Sequence, residues 1–438
     1  MTVLILGASG LIGYTISVDL MRRGIPVIAV ARRFSRSQRV QFATAAREIP
    51  VARLDSNALT RLVTESEAGV VINCLGLLQD IPGESASDIH EHFVTRLLAA
   101  LRDVGRPVLL VHLSIPGVAA DDRTIFARSK RDAERAIAEA GMPYAILRPG
   151  FVFAPAAFGG SAMLRALAAL PFALPARLAG RPLAVVAAED IAETVSVIVQ
   201  RWGQGHRTYA VVWDLMHPDQ RSIGEALTSL RAWFGTGSAW RMVVPMALLK
   251  LGALAGDFVA WLGWRPPLRS TALAELLRGV EGDPRSWMAA TDIVPRSLDD
   301  VLRARPATVQ EKWFARLYLM KALIIVTLVF FWCASALIAL TVAYPAAVAI
   351  LTTHGYPPVL AQTITVASSM LDFLIGLAIA FRQTHRWGLI AGIALSLFYM
   401  LAAALMTPEL WIEPLGALVK TFPAIVLMLV ALGIIEER

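Results

Sequence analysis

Thr2-Val3-Leu4-Ile5-Leu6-Gly7-Ala8-Ser9-Gly10-Leu11-Ile12-Gly13 opens the chain, and its reading decides the fold. The first five residues form a short apolar run, the pattern of a parallel strand buried on both faces. Tyr14 to Arg23 has helical spacing and stops at Gly24. Strand, glycine turn and helix in that order are the context of a dinucleotide-binding turn. Gly7 allows the tight turn, and Gly10 lets backbone approach a pyrophosphate at a helix N-terminus. Gly13 lets that helix pack closely on the strand. The competing reading is a glycine turn with a purely structural role.

Working outward, Pro26 to Ala31 reads as a second strand, followed by Arg32-Arg33. An acid near this point would hold a ribose 2′-hydroxyl, whereas arginine suits a 2′-phosphate. Ala31 and two arginines point to NADP(H), with NAD(H) as the alternative. The plainer reading is that the arginines solvate a loop. Pro50 to Asp55 reads as a third strand. Asp55, with Ser56 beside it, is placed either to touch an adenine ring or to cap the helix Asn57 to Glu65. Val70 to Gly76 is a fourth buried strand, and its end at Cys74-Leu75-Gly76 passes beside a cofactor ribose in such a fold. A helix Ser87 to Val104 follows. Pro107 to Ser114 is a fifth strand, with Ser114 at the C-terminal end where ligands of open α/β sheets sit. His112 reads as a satisfied buried imidazole.

The next helix contains Phe126-Ala127-Arg128-Ser129-Lys130. Together with GxxGxxG spacing and Leu147-Arg148-Pro149-Gly150-Phe151-Val152-Phe153, it resembles the extended and atypical short-chain dehydrogenase/reductases. The resemblance runs over residues 1–230 and is nearest to NmrA-like proteins and to the 39-kDa accessory subunit of respiratory complex I. It implies a doubly wound Rossmann domain whose cofactor lies on Gly7–Gly13, with Lys130 on the nicotinamide ribose and Pro149-Gly150-Phe151 along the nicotinamide. It also implies catalysis by Ser114, a Tyr and Lys130. Here Phe126 stands where the Tyr belongs, and phenylalanine has no proton to give to a carbonyl oxygen. Asp190, in Glu189-Asp190-Ile191-Ala192, matches a structural helix start of the family.

Composition divides the chain. Hydrophobic residues make up 56% and the mean hydropathy is +0.58, too apolar for a wholly soluble protein. The apolar excess lies beyond Leu317. Net charge is +7. From Arg316 onward, Arg316, Lys321, Arg382, Arg386, Lys420 and Arg438 nearly balance Asp372, Glu409, Glu413, Glu436 and Glu437, so the positive charge sits in the soluble part. No basic stripe interleaved with aromatics is present, which excludes nucleic acid and favours an anionic bilayer surface. The two cysteines, Cys74 and Cys333, form no CxxC or disulfide pattern, which suits a reducing compartment, and no metal site is expected. The first strand leaves no room for a cleaved signal peptide.

Residues 231–305 read as a C-terminal subdomain. Within it, Ala239 to Trp264 is apolar apart from Lys250 and Asp257 and is flanked by Trp240-Arg241, Trp261 and Trp264-Arg265. It suits either a helix in the membrane interface or a buried helix of the substrate domain. From residue 306 a membrane domain follows, with four apolar stretches at 317–344, 361–381, 387–406 and 415–435, each near the 20 residues needed to span a bilayer. Lysine and arginine flank the first stretch and fill the second loop, which places the N-terminal domain and the C-terminus in the cytoplasm of a bacterial-type inner membrane. Four short helices, with Asp372-Phe373-Leu374-Ile375-Gly376 in the second, resemble a DoxX-like domain, a group linked to quinone oxidoreductase systems. Asp372 and Lys420 are expected to pair. The implied function is an NADP(H)-dependent oxidoreductase acting on a quinone, isoprenoid or lipid carbonyl. The alternatives are an inactive cofactor-binding subunit of a membrane protein complex and a redox sensor.

Overall fold

A computed structural model describes residues 1–80, 85–236, 241–412 and 416–435. The chain divides into two compact units. The first is Met1–Asp257 with Pro266–Ala315, and the second is Phe258–Arg265 with Arg316–Arg438.

The strands are β1 (Thr2–Leu6), β2 (Val27–Ala31), β3 (Ala46–Glu48), β4 (Ala68–Asn73), β5 (Leu109–Leu113), β6 (Tyr144–Pro149), β7 (Phe151–Phe153), β8 (Phe172–Ala173), β9 (Val185–Ala187), β10 (Ala210–Leu215) and β11 (Met242–Val243). Seven of them form one parallel sheet in the order β3-β2-β1-β4-β5-β6-β10. Val3 to Leu6 have no exposed surface, so both faces of β1 must be covered. The order reverses between β1 and β4, and ligands of doubly wound sheets bind at that crevice. The Rossmann fold expected of the N-terminal part is the fold observed.

The helices of this unit, with α10 running on into the second unit from Phe258, are α1 (Leu11–Arg22), α2 (Arg36–Phe42), α3 (Ser56–Glu65), α4 (Phe93–Asp103), α5 (Ile125–Glu139), α6 (Gly159–Ala169), α7 (Ala176–Ala179), α8 (Ala188–Gly203), α9 (Ile223–Phe234), α10 (Met246–Trp261), α11 (Ser270–Arg278), α12 (Arg285–Thr291) and α13 (Leu298–Arg303). On one face of the sheet Ile16 and Leu20 of α1 pack with Ile191, Val195 and Ile198 of α8. On the other, Leu59 and Val63 of α3 meet Phe93, Leu97 and Leu101 of α4. The apolar side chains recur every three or four residues, the spacing of a single helix face. A third core gathers α6, α9, α11 and α13 around Phe153, Leu227, Leu273 and Leu298.

Three local expectations are corrected. The third strand is Ala46–Glu48, not Pro50–Asp55, and Val51–Arg53 is a 3₁₀ turn. Pro50 has no N–H to give a ladder, and its carbonyl instead accepts from Arg53 N–H at 2.9 Å. The helix expected from Ser87 opens with a π turn, Asp88–His92, before α4 starts. β4 ends at Asn73, so Cys74 lies just past the strand.

The second unit contains most of α14 (Val309–Leu340), then α15 (Tyr344–Thr353), α16 (Pro358–Ala380), α17 (His385–Met406) and α18 (Ala417–Ile434). Ile325, Leu328 and Trp332 of α14 meet Ile375 and Ile379 of α16, Leu389 of α17, and Ile425 and Met428 of α18. Among the described residues, three helices are long and apolar enough to cross a membrane: α14, α16 and α17. The expected fourth, α18, is an apolar helix of 18 residues. Trp240, Glu413 and the terminal Glu436, Glu437 and Arg438 lie outside the described residues.

Candidate functional site

The glycine turn is built as its sequence demands. Gly7 has φ +85°, and a Cβ there would stand 3.1 Å from the Cys74 backbone. A Cβ on Gly13 would stand 2.4 Å from Gly7 O, so only glycine lets α1 come this close to β1. A Cβ on Gly10 meets only Gly7 O, at 3.4 Å, so that side of the turn is open. The first turn of α1 holds no acidic residue, and Gly10 provides no side-chain cap, so its leading N–H groups are available to an anion. Ala8 is buried, while Ser9, Leu11 and Ile12 are half-buried at the rim. Gln38 Nε2 donates to Ser9 O at 3.0 Å and braces the turn from α2.

At the end of β2 the side chains of Arg32 and Arg33 are exposed. Sequence reading missed Glu48. It pairs in register with Ala31, its carboxylate accepts from Phe34 N–H at 2.9 Å, and Arg39 lies 3.0 Å away. The Phe34 hydrogen bond, with Arg39 and Arg33 nearby, holds this exposed carboxyl below its ordinary range. The acid is thus engaged by its own neighbourhood, and its sequence position gave no signal because β3 was misplaced. Asp55 caps α3 by accepting from Ala58 N–H at 2.8 Å, with Ser56 as the first helical residue.

Across the crevice, the buried Lys130 sends Nζ to Leu113 O at 2.8 Å and Leu75 O at 3.2 Å. It therefore bridges the ends of β4 and β5. Burial pulls its pKa down to about 8. Gly76 lies beside this bridge with room to spare, since a Cβ there would meet only Nζ, at 4.0 Å. Burial pushes the Cys74 thiol up to about 12, so it stays protonated and unreactive. The position of the missing Tyr is taken by Phe126, half-buried, with its ring 5.4 Å from the imidazole of His90. Leu77 N–H donates to His90 Nε2 at 3.0 Å, which leaves the proton on Nδ1, 2.9 Å from Ser129 Oγ. Burial lowers the pKa of His90 to about 2, so the ring stays neutral and is no general acid at neutral pH. His112 is buried with Nδ1 3.2 Å from Asn73 Nδ2, and its Nε2 has no partner, so it is only half satisfied.

Ser114 is 6% exposed, and its hydroxyl faces the Glu134 carboxylate, which it helps to hold in the charged form, without a hydrogen bond of ordinary geometry. Ser114 directly follows β5, at the C-terminal end of a central strand, where the crevice of an open α/β sheet lies. Its loop is fixed by a buried ion network. Arg148 forks onto Glu134 with Nε 2.9 Å from Oε1 and Nη2 2.5 Å from Oε2, and Arg131 Nη1 adds contacts of 3.1 and 3.2 Å. Arg131 also donates to Pro116 O, Gly117 O and Asp122. Arg278 of α11 reaches Pro116 O at 3.1 Å and Asp122 at 3.2 Å, while Thr124 donates to Glu275 at 2.5 Å. The C-terminal subdomain is thereby tied to the Ser114 loop. A cleft of about 300 Å³ opens beside Phe126, lined by Leu78, Ile125, Arg269, Thr271 and Ala274 among others. Gly150 is required by packing, because a Cβ there would stand 2.6 Å from Ala184 O. Pro149 ends β6 and Phe151 opens β7, so this turn joins the large sheet to the β7–β9 pair.

In the second unit Asp372 accepts from Tyr399 O–H at 3.0 Å, and the expected Asp372–Lys420 pair is not made. Lys420 is exposed on the first turn of α18. Asp372 lies deep in α16, roughly 16 Å further along the bundle at 1.5 Å per residue.

A family model of the NAD dependent epimerase/dehydratase family matches residues 3–205, and a DoxX-like family model matches residues 329–429. The N-terminal part is thus an epimerase/dehydratase-type, NAD-binding short-chain domain, and it is joined to a C-terminal DoxX-like domain. Among solved structures, the chain is similar to UDP-glucose 4-epimerase of Thermotoga maritima with UDP-glucose, at 14% identity and a TM-score of 0.53, covering 73% of this chain and 100% of that one. It is also similar to UDP-glucose-4-epimerase of Stenotrophomonas maltophila with bound NAD, at 17% identity and 0.52, covering 74% and 99%. UDP-glucuronic acid 4-epimerase of Bacillus cereus, in complex with UDP-glucuronic acid and NAD, gives 14% and 0.52, covering 73% and 100%. At these identities the likeness is one of fold. No curated protein matches the chain.

Proposed function

We propose that this chain is a membrane-anchored NADP(H)-dependent oxidoreductase whose substrate is a quinone or a similar lipid-soluble acceptor. The observation that carries the proposal is the combination at one crevice: an intact cofactor cradle, a buried Lys130 and a buried Ser114, and Phe126 in place of the acid. Gly7 to Gly13 would hold the pyrophosphate, Arg32 and Arg33 a 2′-phosphate, and Asp55-Ser56 the adenine edge. Cys74, Leu75 and Gly76 would line the ribose, Lys130 would hold its hydroxyls, and Pro149-Gly150-Phe151 would flank the nicotinamide. When bound, the cofactor supplies or accepts a hydride.

The missing acid favours one class of acceptor. Reducing a ketone leaves an alkoxide, about as basic as hydroxide, so a proton donor near pKa 10 is needed. Reducing a quinone leaves a phenolate-type anion of pKa about 10, which Lys130 and the Ser114 hydroxyl can stabilise until water protonates it. Losing the tyrosine is therefore far less costly for a quinone. The C-terminal membrane-like helices keep the domain where such acceptors dissolve. Positive charge around the α16–α17 loop supports a cytoplasmic N-terminal domain.

Phe126 also favours a second reading, in which the cofactor is a structural ligand and the chain serves a membrane protein complex, as its resemblance to the complex I accessory subunit suggests. One experiment separates them. The detergent-purified protein is mixed with NADPH and a short-chain benzoquinone, and the 340 nm absorbance is followed. Turnover that falls at least tenfold in Ser114→Ala supports the oxidoreductase. Tight NADPH binding without turnover against quinones and lipid carbonyls would sink it and leave the second reading.

A further inference from the structure

Helix α10 is apolar on two unlike faces. Leu248, Leu251, Leu254, Phe258 and Trp261 recur at helical spacing and are between 56% and 80% exposed. The opposite face is small: Ala253 and Ala260 are buried, and a Cβ on Gly256 would stand 2.1 Å from Leu268 O. A helix of a soluble domain turns its large apolar side chains inward. Here Met246 and Leu249 at the helix start pack on the third core, but beyond them small residues face the protein and a full stripe of large ones faces out. The two charges do not interrupt the outer face, since Asp257 is paired with Arg269 at 2.9 Å and Lys250 has a stem long enough to lift its ammonium clear.

We propose that the outer face of α10 lies in the headgroup–acyl boundary of the bilayer that the same chain spans. The bilayer is chosen over other occupants by what lies at the end of the helix. Its last turn and the residues to Arg265 belong to the second unit. Leu262 O accepts from Arg382 N–H at 3.0 Å, and Trp264 Nε1 donates to Ala380 O at 2.6 Å. The Trp264 ring lies 5.2 Å from that of His385. These partners sit at the α16–α17 turn, where Trp387 is 71% exposed beside Arg386. Tryptophan and arginine gathered at the ends of membrane helices mark the headgroup level. Trp261, at 80% exposure, extends that belt, and the stripe continues from it toward Leu248. This inference does not depend on how the cofactor site is read.

The full chain in nanodiscs of phosphatidylcholine and phosphatidylglycerol tests it. A nitroxide is attached to a cysteine introduced at Leu251, Leu254 or Phe258, with Lys250 and Arg102 as references, and the signal of the unsubstituted protein is subtracted. Stripe labels should collide with oxygen several times more than with a nickel chelate, and the Arg102 label should show the reverse. Stripe labels as open to nickel as Arg102 would overturn the proposal. So would dipolar broadening between two copies, or protection from both reagents, which would mean a protein partner. Hydroxyl-radical footprinting of the unsubstituted protein gives an independent reading: Trp261 should stay unmodified while Phe158, 44% exposed, is oxidised. Equal oxidation of the two would also overturn it.

Discussion

Single charges set the cofactor chemistry. Arg32 follows a strand that ends in alanine, and the acid beside that edge, Glu48, is already engaged by Phe34 N–H and Arg39. A charge-assisted contact to phosphate is worth more than a neutral one. Arg32→Glu should therefore weaken NADPH by roughly tenfold or more relative to NADH, about 1.4 kcal/mol, in a fluorescence titration. Equal loss for both cofactors would refute the 2′-phosphate assignment. Lys130 makes a second test. In the proposed site its ammonium form would hold ribose hydroxyls, and burial lowers its pKa from 10.5 to about 8. Cofactor affinity should fall as pH rises through 8, and Lys130→Met should remove that pH dependence. The sign for folding is opposite. The unfolded lysine binds the proton more tightly, so its burial costs stability below pH 8, and that cost is relieved between pH 8 and 10.5.

At the level of elements, what the sequence made legible was local. The β1–turn–α1 unit is read from adjacent residues because strand, glycines and helix are consecutive. Lys130 and Phe126 lie on one helix, so their spacing is legible in the sequence and carries the proposed ribose ligand and the absent tyrosine together. What stayed hidden depends on pairing between distant residues. The third strand is expected at Pro50–Asp55 because Val51 and Leu54 read as apolar strand positions, whereas the ladder forms at Ala46–Glu48 and Glu48 goes unread. The Asp372–Tyr399 bond was hidden because helix depth, not charge, decides which group reaches the aspartate. The Glu134 network was also invisible, since Arg131, Arg148, Asp122 and Arg278 come from four separate stretches. It ties α5, β6 and α11 to the loop that bears Ser114. Removing one member of a buried ion cluster leaves its partners uncompensated. Glu134→Ala should lower stability by about 3–5 kcal/mol in thermal or denaturant melts. Glu134→Gln, which keeps acceptors for both arginines, should cost clearly less. Equal, small effects would show that the network is not a strut of this domain.

At the scale of the whole molecule, the open question is parity. Three helices are long enough to cross, while α18 has 18 residues, about 27 Å at 1.5 Å per residue, against a hydrocarbon core of about 30 Å. With three crossings the C-terminus lies opposite the N-terminal domain, and with four it lies on the same side. Packing argues for four: Met428 and Ala431 of α18 are buried in the same core as Leu328, Trp332 and Ile379. The C-terminal half of α18, from Ile425 on, thus packs into the same core as its neighbours. Lys420 sits at its first turn, where its ammonium can reach the surface and make up the missing length. A fluorescent and alkaline-phosphatase reporter pair fused after Arg438 should therefore read cytoplasmic. Cysteines at Thr353 and Gln383 fix the remaining crossings. In intact cells an impermeant maleimide should label Thr353→Cys and leave Gln383→Cys until lysis, because arginines flank the α16–α17 turn. An external C-terminus with these labels unchanged would mean that α18 does not cross. A reversed cysteine pattern would put the NADP(H) cradle outside, away from cytoplasmic cofactor, and would remove the proposed oxidoreductase together with its orientation.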